Sequence, residues 1–343
     1  MPSLAFPTTQ DITHIVRNRI VDTQRFIGAA FCPVVNEYVE LIEYDVFDAS
    51  FGMTGAHQIN TDPKVVKLPG QSKRRFGTGY WKDSFRLNEE ELLYVRKAGT
   101  YNQRAGRERV LLRAKQMDDR VETRVEWARW QPLVNGTLTV NENGIQYTVD
   151  YNLPAANKPV LTGTALWSDY VNSDPIKDIT NWLILFRGTG AKAQKAVFNL
   201  KTAQALLQNQ KLRDLLKQSG FVASLQFGNI GKALQIFFPE LTFVIYDEGY
   251  SSDGTDFNLF VPDGKFVLIG GASNSELGGE LLMDFASTLS LHNGGIDNPQ
   301  PGKFAIIEDK SSQEKNPYVD VTVGIYGLPR VYHPNWIVSA TVL

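Results

Sequence analysis

Histidine and cysteine side chains are considered first, because they bind metals and act as bases or nucleophiles. The chain holds one cysteine, Cys32, and four histidines that are isolated in sequence: His14, His57, His292 and His333. It contains no HExxH, HxxxH or CxxC motif, so it does not support a metal site. It also lacks the GxSxG motif of a nucleophile elbow. We therefore predict that the protein is not an enzyme, and we expect no catalytic, metal-binding or cofactor-binding residues.

Three further segments carry glycines or carboxylates in patterns that superficially resemble ligand loops. Residues 188–192 (GTGAK) and 228–232 (GNIGK) lack the GxxxxGK[ST] spacing of a phosphate loop, so we interpret them as ordinary loops. Residues 247–256 hold four carboxylates, which by charge alone could form a calcium loop. They lack the EF-hand spacing, and a solvated hairpin tip is the preferred interpretation.

A basic and aromatic stretch at residues 73–82 (KRRFGTGYWK) permits two interpretations. It could stack on single-stranded bases and pair with phosphates. It could instead contact other copies of the chain, since Arg and Trp are favoured interface anchors. The formal net charge is only −2, from 35 basic and 37 acidic residues. This balance favours contacts with acidic patches of identical copies over strong, non-specific binding to nucleic acid.

Residues 104–130 carry eight basic and five acidic residues on a predicted helix, and this segment permits the same two interpretations. We place ion pairs with neighbouring copies first and nucleic-acid binding second. The predicted intersubunit contact residues are the following: Arg74, Arg75, Phe76, Tyr80, Trp81, Arg86, Arg107, Arg113, Arg120 and Arg124.

The composition is that of a globular protein, with 43% apolar and 21% charged residues in 343. A single cysteine excludes a disulfide scaffold, and the absence of any run of roughly 18 apolar residues excludes a transmembrane helix. The first 19 residues contain prolines and charges where a signal peptide needs an apolar stretch. We expect folding in a reducing cytoplasm.

Five regions are predicted along the chain, with no internal repeat. They are an N-terminal arm (1–48), an extended loop (49–104), a region with a long helix at 105–131 and a hairpin (105–164), a mixed α/β lobe (165–325) and a closing strand (326–343).

The long helix is the clearest element, because apolar residues recur at steps of three and four along it. They are Val110, Ala114, Met117, Val121, Val125 and Ala128. We expect it to end at Pro132 and Asn135-Gly136. In the lobe, we predict a helix that starts near Asp174-Pro175, one helix over 200–217, and strands over 196–200, 242–246, 256–260 and 265–269.

This order of elements is unfavourable for a monomer, because the first hundred residues contribute little core. It suits a subunit whose N-terminal arm and extended loop bury their surface against neighbouring copies of the chain.

Several short motifs spread over most of the chain resemble the lambda-like (E family) major capsid proteins of tailed bacteriophages. They are Phe51-Gly-Met53 through Pro69-Gly-Gln-Ser72, Glu126 to Gly136, Trp167-Ser with Asp174-Pro175 and Asp178-Ile179, Phe260-Val-Pro-Asp-Gly-Lys-Phe-Val-Leu-Ile-Gly270, and Pro334-Asn-Trp336 to Leu343. Residues 247–256 and 291–317 match no part of the family pattern.

The resemblance implies an α+β fold, the tailed-phage major capsid protein fold, with N-arm, E-loop, P-domain with a long spine helix, and A-domain. It implies hexamers and pentamers that close an icosahedral shell around double-stranded DNA, with weak contact to that DNA. The expected location is the virion capsid, assembled in the host cytoplasm. The expected partners are the chain itself, a portal protein, a candidate decoration protein and, since no long acidic helical leader is present, a separate scaffolding protein.

Three alternatives remain at this stage. The first is a nucleic-acid-binding protein that uses residues 73–82. The second is an enzyme with a cleft in the lobe 165–325. The third is a bacterial encapsulating shell with the same fold, which would enclose protein cargo in place of DNA.

Overall fold

The computed structural model describes residues 8–47, 53, 56, 71–91, 101–218, 230–252, 254–272, 281–310 and 316–343. The chain divides into two compact units, each built from three separate stretches. The first unit comprises Met1–Ile42, Arg75–Ala128 and Asp284–Arg330. The second comprises Glu43–Arg74, Arg129–Met283 and Val331–Leu343.

The described residues form both helices and strands. The α-helices are α1 (Thr9–Arg17), α2 (Tyr101–Asn135), α3 (Pro175–Ile184), α4 (Leu200–Gln208), α5 (Gln210–Gln218) and α6 (Ile230–Gln235). The strands are β1 (Val34–Asn36), β2 (Ile42–Phe47), β3 (Gln71–Phe76), β4 (Tyr80–Asn88), β5 (Thr137–Glu142), β6 (Ile145–Asp150), β7 (Ala191–Phe198), β8 (Thr242–Ile245), β9 (Gly249–Tyr250), β10 (Asn258–Leu259), β11 (Lys265–Ala272), β12 (Met283–Ser287), β13 (Leu289–Ser290), β14 (Gln300–Pro301), β15 (Phe304–Asp309), β16 (Tyr318–Val331) and β17 (Ile337–Thr341).

A five-stranded sheet forms the framework of the first unit. Its order is β1-β12-β16-β15, and β4 pairs with β16 as well. The long strand β16 is antiparallel both to β15, with Ala305 opposite Val323, and to β4, with Arg86 opposite Asp320. Val319, Val321 and Val323, at alternate positions of β16, are all buried.

The long helix α2 carries the predicted apolar stripe, and Val110, Ala114, Val121, Val125 and Ala128 are buried along it. Asp118, Glu122 and Glu126 are also buried, although helical periodicity predicts that acidic side chains lie on the charged, solvent-exposed face.

The predicted end of α2 at Pro132 is wrong by one turn. Pro132 lies inside the helix, which continues to Asn135. A proline lacks the N–H that its turn would donate, but burial of Leu133 and Val134 holds the last turn in place. The helix ends at Gly136, whose φ of 76° is a conformation that glycine adopts without strain.

A four-stranded sheet forms the framework of the second unit, in the order β17-β11-β7-β8. Strands β7 and β8 are parallel, and β11 is antiparallel to both β7 and β17. Buried rings pack on this sheet, with the Trp167 and Phe266 centroids 5.3 Å apart and the Phe198 and Phe266 centroids 5.4 Å apart. The C-terminal strand β17 is therefore docked in a sheet, as its apolar sequence predicted.

The predicted single helix over 200–217 is wrong, because the chain breaks it into α4 and α5 at Asn209. This residue has extended backbone angles (φ −62°, ψ 123°) and is fully buried. Its side chain accepts a hydrogen bond from Leu212 N–H at 3.0 Å and donates one to Ser173 Oγ at 2.8 Å. Asn209 thus caps α5, and these tertiary contacts outweigh the helical pattern.

Other local predictions agree with the structure. Asp174 accepts a hydrogen bond from Lys177 N–H and Pro175 opens α3, as expected for a capped helix start. The predicted hairpin is β5–β6, with Asn143 (φ 52°) and Gly144 (φ 77°) at its turn. Within the described residues, no helix combines the length and apolarity that crossing a bilayer requires. The division into five regions stays a prediction.

Candidate functional site

Three predicted contact residues lie on β3, at the start of the basic and aromatic stretch. Arg74 donates to the Asp150 carbonyl at 3.3 Å, so part of its hydrogen-bonding capacity is used within the second unit. Arg75 is exposed and Phe76 is half-buried. Of the three, Arg75 is the residue most accessible to another molecule.

The aromatic residues of the stretch lie on β4 and pack against the rest of the first unit. Tyr80 stacks on Tyr326, with ring centroids 4.1 Å apart and planes 10° from parallel. Burial, together with a hydrogen bond that the Tyr326 hydroxyl donates to Tyr80, raises the pKa of Tyr326 to about 12. Trp81 lies between Phe285, at 6.0 Å, and the Arg124 guanidinium, at 5.4 Å. These ring faces serve the fold of the subunit, which weakens the alternative of stacking on nucleic-acid bases.

Two predicted contact arginines form ion pairs with acids of the same unit. Arg86 of β4 makes a bidentate pair with Asp320 of β16, with both nitrogen–oxygen distances 2.8 Å. Arg120 of α2 pairs with Asp83 of β4. Both arginine side chains remain more than half exposed, so each pair contributes little to stability and leaves part of the guanidinium accessible.

The remaining candidates lie on α2. Arg124 stacks on Trp127, with its guanidinium carbon 4.0 Å from the ring centroid. Arg113 is exposed and donates to Gln116 at 3.2 Å. Arg107 lies among the residues whose side chains fall outside the described part. The intersubunit role of all ten candidates stays a prediction.

A buried charge cluster, which the sequence analysis did not find, connects α2 to two distant segments. The Lys303 ammonium lies 2.6 Å from Asp118 and also pairs with Glu122, and all three side chains are almost fully buried. Arg19 binds the other Asp118 oxygen at 3.2 Å and pairs with Asp119. Burial raises the pKa of the Asp118 carboxyl, although Lys303 opposes this shift.

A third buried carboxylate on α2 holds the segment that follows α1. Glu126 accepts a hydrogen bond from Gly28 N–H at 2.7 Å, inside the first unit. A Cβ at position 28 would lie 2.6 Å from the nearer carboxylate oxygen, so only glycine fits this approach. The sequence offered no signal for this contact, because the partners are 98 residues apart.

The segments that resembled ligand loops have structural roles where they are described. Residues 249–250 and 258–259 pair as β9 and β10, which agrees with the predicted hairpin. Asp247 accepts a hydrogen bond from Leu200 N–H at the start of α4. Gly188 (φ 75°) and Gly190 (φ 81°) form the turn before β7. Residues 228 and 229 lie outside the described part.

Among described residues, no group of three or more His, Cys, Asp or Glu side chains could hold a metal ion.

Several solved structures with the same fold are phage capsid proteins or phage-related proteins. The putative capsid protein of a prophage of Escherichia coli CFT073 matches with a TM-score of 0.60 at 15% identity, over 100% of both chains. A phage-related protein of Bordetella bronchiseptica RB50 matches with a TM-score of 0.57 at 12% identity, over 98% of this chain and 97% of that one. The capsid of the cyanophage P-SCSP1u gives 0.54 at 8% identity, over 94% and 90%. The fold is therefore the α+β capsid fold of tailed phages, as the resemblance implied.

The sequence identifies the family within this class of shell proteins. The model of the family "Phage major capsid protein E" matches residues 8–342, and the chain belongs to that family. No curated protein matches the sequence. The protein is thus a structural phage capsid subunit, not an enzyme, and its location is the virion capsid.

Proposed function

We propose that this subunit forms hexamers and pentamers that close an icosahedral shell around double-stranded DNA. The observation that carries the proposal is the match of the whole chain to the putative capsid protein of a prophage, over 100% of both chains. Members of such a shell associate with identical copies. Each interface can be modest, since closure engages many interfaces at once.

The proposal extends to partners and to the site of assembly. A portal protein, a separate scaffolding protein and a candidate decoration protein would act with this subunit, and assembly would take place in the host cytoplasm. The near-zero net charge supports weak contact with packaged DNA, because strong phosphate binding needs an excess of Lys and Arg. Weak contact suits a container whose DNA must enter and leave.

The intersubunit contacts are proposed to use the ten residues predicted from the sequence. Arg75, Arg86, Arg113 and Arg120 are the strongest candidates, because all four are exposed. The predicted regions 1–48, 49–104, 105–164, 165–325 and 326–343 remain the proposed N-arm, E-loop, P-domain, A-domain and closing strand.

Negative-stain microscopy of the purified full-length chain tests the function directly. We expect capsomer rings and closed shells as the protein concentration rises. A monodisperse monomer at high concentration would contradict the proposal. Shells that enclose protein in place of DNA when isolated from an expressing cell would favour the encapsulating-shell alternative.

Charge reversal at Arg113 tests the intersubunit surface. We expect Arg113→Glu to fold normally but to yield at least about tenfold fewer closed shells, because a like charge at an interface opposes association. Arg113→Lys keeps the charge and is the matched control. Particle counts by microscopy and the thermal midpoint of the unassembled subunit are the two measurements. A normal shell yield with Arg113→Glu would show that Arg113 is not part of the interface.

A further inference from the structure

One face of α1 makes hydrogen bonds to the backbone of β15 and of the residues just before it. Thr9 Oγ1 accepts from Ile307 N–H at 3.3 Å. Thr13 Oγ1 accepts from Ala305 N–H at 3.2 Å and donates to the Ala305 carbonyl at 3.4 Å. The Arg17 guanidinium donates to the carbonyls of residues 303 and 301, both at 2.9 Å. Three side chains thus bind backbone groups at four positions.

The spacing of these contacts is regular on both elements. Thr9, Thr13 and Arg17 are four residues apart, so successive side chains are about 6 Å apart along the helix. Ala305 and Ile307 are two residues apart on β15, which is about 6.8 Å along an extended chain. The two repeats therefore match for Thr9 and Thr13, whereas the long Arg17 side chain reaches the residues before the strand, where the chain turns at Gly302 (φ 105°).

The β15 backbone groups that α1 binds point away from the neighbouring strand β16 and are not used in the pairing of β15 with β16. Alternate residues of an edge strand direct their N–H and C=O groups outward. At Ala305 and Ile307 these outward groups are met by threonine hydroxyls instead of a further strand. Burial of Ile12 and Val16 on α1 adds an apolar contribution to the attachment. The helix occupies the place of a missing strand.

An uncovered β15 would be well suited to pairing with another strand. Residues 304–307 (FAII) are apolar and rich in β-formers, without proline or glycine. Such an edge is a template for association. We propose that α1 covers β15 and so prevents antiparallel pairing with β15 of a second copy of this chain.

The register of that pairing follows from the outward groups. Pairing centred on Ile306 places Ala305 of one copy opposite Ile307 of the other, so that all outward groups near the centre are satisfied. Strand β15 of a second copy would therefore form a fully hydrogen-bonded pair with the exposed edge of β15.

Hydrogen exchange in the full-length chain tests whether the threonines protect the edge. Thr9→Val with Thr13→Val keeps the branched shape and removes both hydroxyls. We expect amide exchange at Ala305 and Ile307 to quicken roughly tenfold. Thr9→Ser with Thr13→Ser should restore protection. Thr180→Val is the control, because the Thr180 hydroxyl bonds only to the Ile176 carbonyl of its own helix. Unchanged exchange in the double valine variant would overturn the proposal.

Cysteine crosslinking tests whether β15 of a second copy pairs with β15 when the edge is uncovered. Ile306→Cys would place two thiols directly opposite each other at the centre of the pair, in a position compatible with a disulfide. We expect a disulfide-linked dimer when this change is combined with Thr9→Val and Thr13→Val, and at least about fivefold less with Ile306→Cys alone. Thr139→Cys, on the exposed face of β5, gives the background level. Dimer at background level in the combined variant, or equal dimer with and without the valines, would overturn the proposal.

Discussion

Replacing Arg330 with methionine is expected to lower the free energy of unfolding of the subunit by about 3–5 kcal/mol. The Arg330 guanidinium binds both oxygens of Asp284, at 2.8 and 2.6 Å, and lies 2.8 Å from Glu37. The Arg330 and Asp284 side chains are less than a tenth exposed. Methionine would leave the Asp284 charge buried without its cation, and that is the costly outcome.

Arg86→Met is the matched control, because Arg86 makes the same bidentate pair with Asp320 at the surface. There the arginine side chain is 55% exposed, and we expect a loss of at most about 1 kcal/mol. Urea denaturation of the unassembled subunit measures both variants. Equal losses for the two would show that burial does not decide the contribution of these pairs.

Lys303→Met is expected to be comparably damaging, with a loss of about 3–5 kcal/mol near neutral pH. Lys303 is the cation that Asp118 and Glu122 share in the buried charge cluster. Its removal leaves two carboxylates close together in an environment of low dielectric constant. One or both must then take up a proton or remain buried as a charge.

The loss caused by Lys303→Met should shrink as the pH falls. Burial already raises the folded-state pKa of Asp118 above its unfolded value, and loss of Lys303 removes an opposing effect. Between the unfolded pKa and the raised folded pKa the folded state binds more protons than the unfolded state, so the stabilising contribution of protonation is fully present below the unfolded pKa. It is lost as the pH rises through the raised folded pKa.

Lys201→Met provides the control for this pH dependence. The Lys201–Asp263 pair is largely exposed, with side chains 63% and 48% accessible. We expect a loss below about 1 kcal/mol that changes little with pH. Urea denaturation at several pH values between about 4 and 7 measures both variants. A loss for Lys303→Met that is constant over this range would contradict the proton-uptake explanation.

Local signals in the sequence predicted most of the regular elements. The apolar stripe of α2, the capped start of α3 at Asp174-Pro175 and the β5–β6 hairpin each depend on residues within a few positions of one another. The break at Asn209 could not be found in this way, because the side chain bonds to Ser173, which belongs to another segment. Helical periodicity in 200–217 was genuine, but a tertiary contact overrode it.

The candidate site was predicted less completely than the fold. Charge and aromatic content selected residues such as Arg86, Arg120 and Tyr80, and the structure shows that each also contacts its own unit. The buried cluster escaped prediction because Lys303 and Asp118 are 185 residues apart. A carboxylate next to an apolar helical stripe was the only available hint, and solvated acids give the same pattern.

The central position of β16 has a consequence for the order of events during synthesis. Arg86 and Asp320 face each other across β4 and β16, yet they are 234 residues apart in the chain. The ribosome therefore releases β4 long before its partner exists, and pairings this distant in sequence close slowly. Strand β4 stays without this partner through most of translation, so nascent chains on one polysome are exposed to premature contact with each other, and chaperone binding during that interval would favour correct subunits.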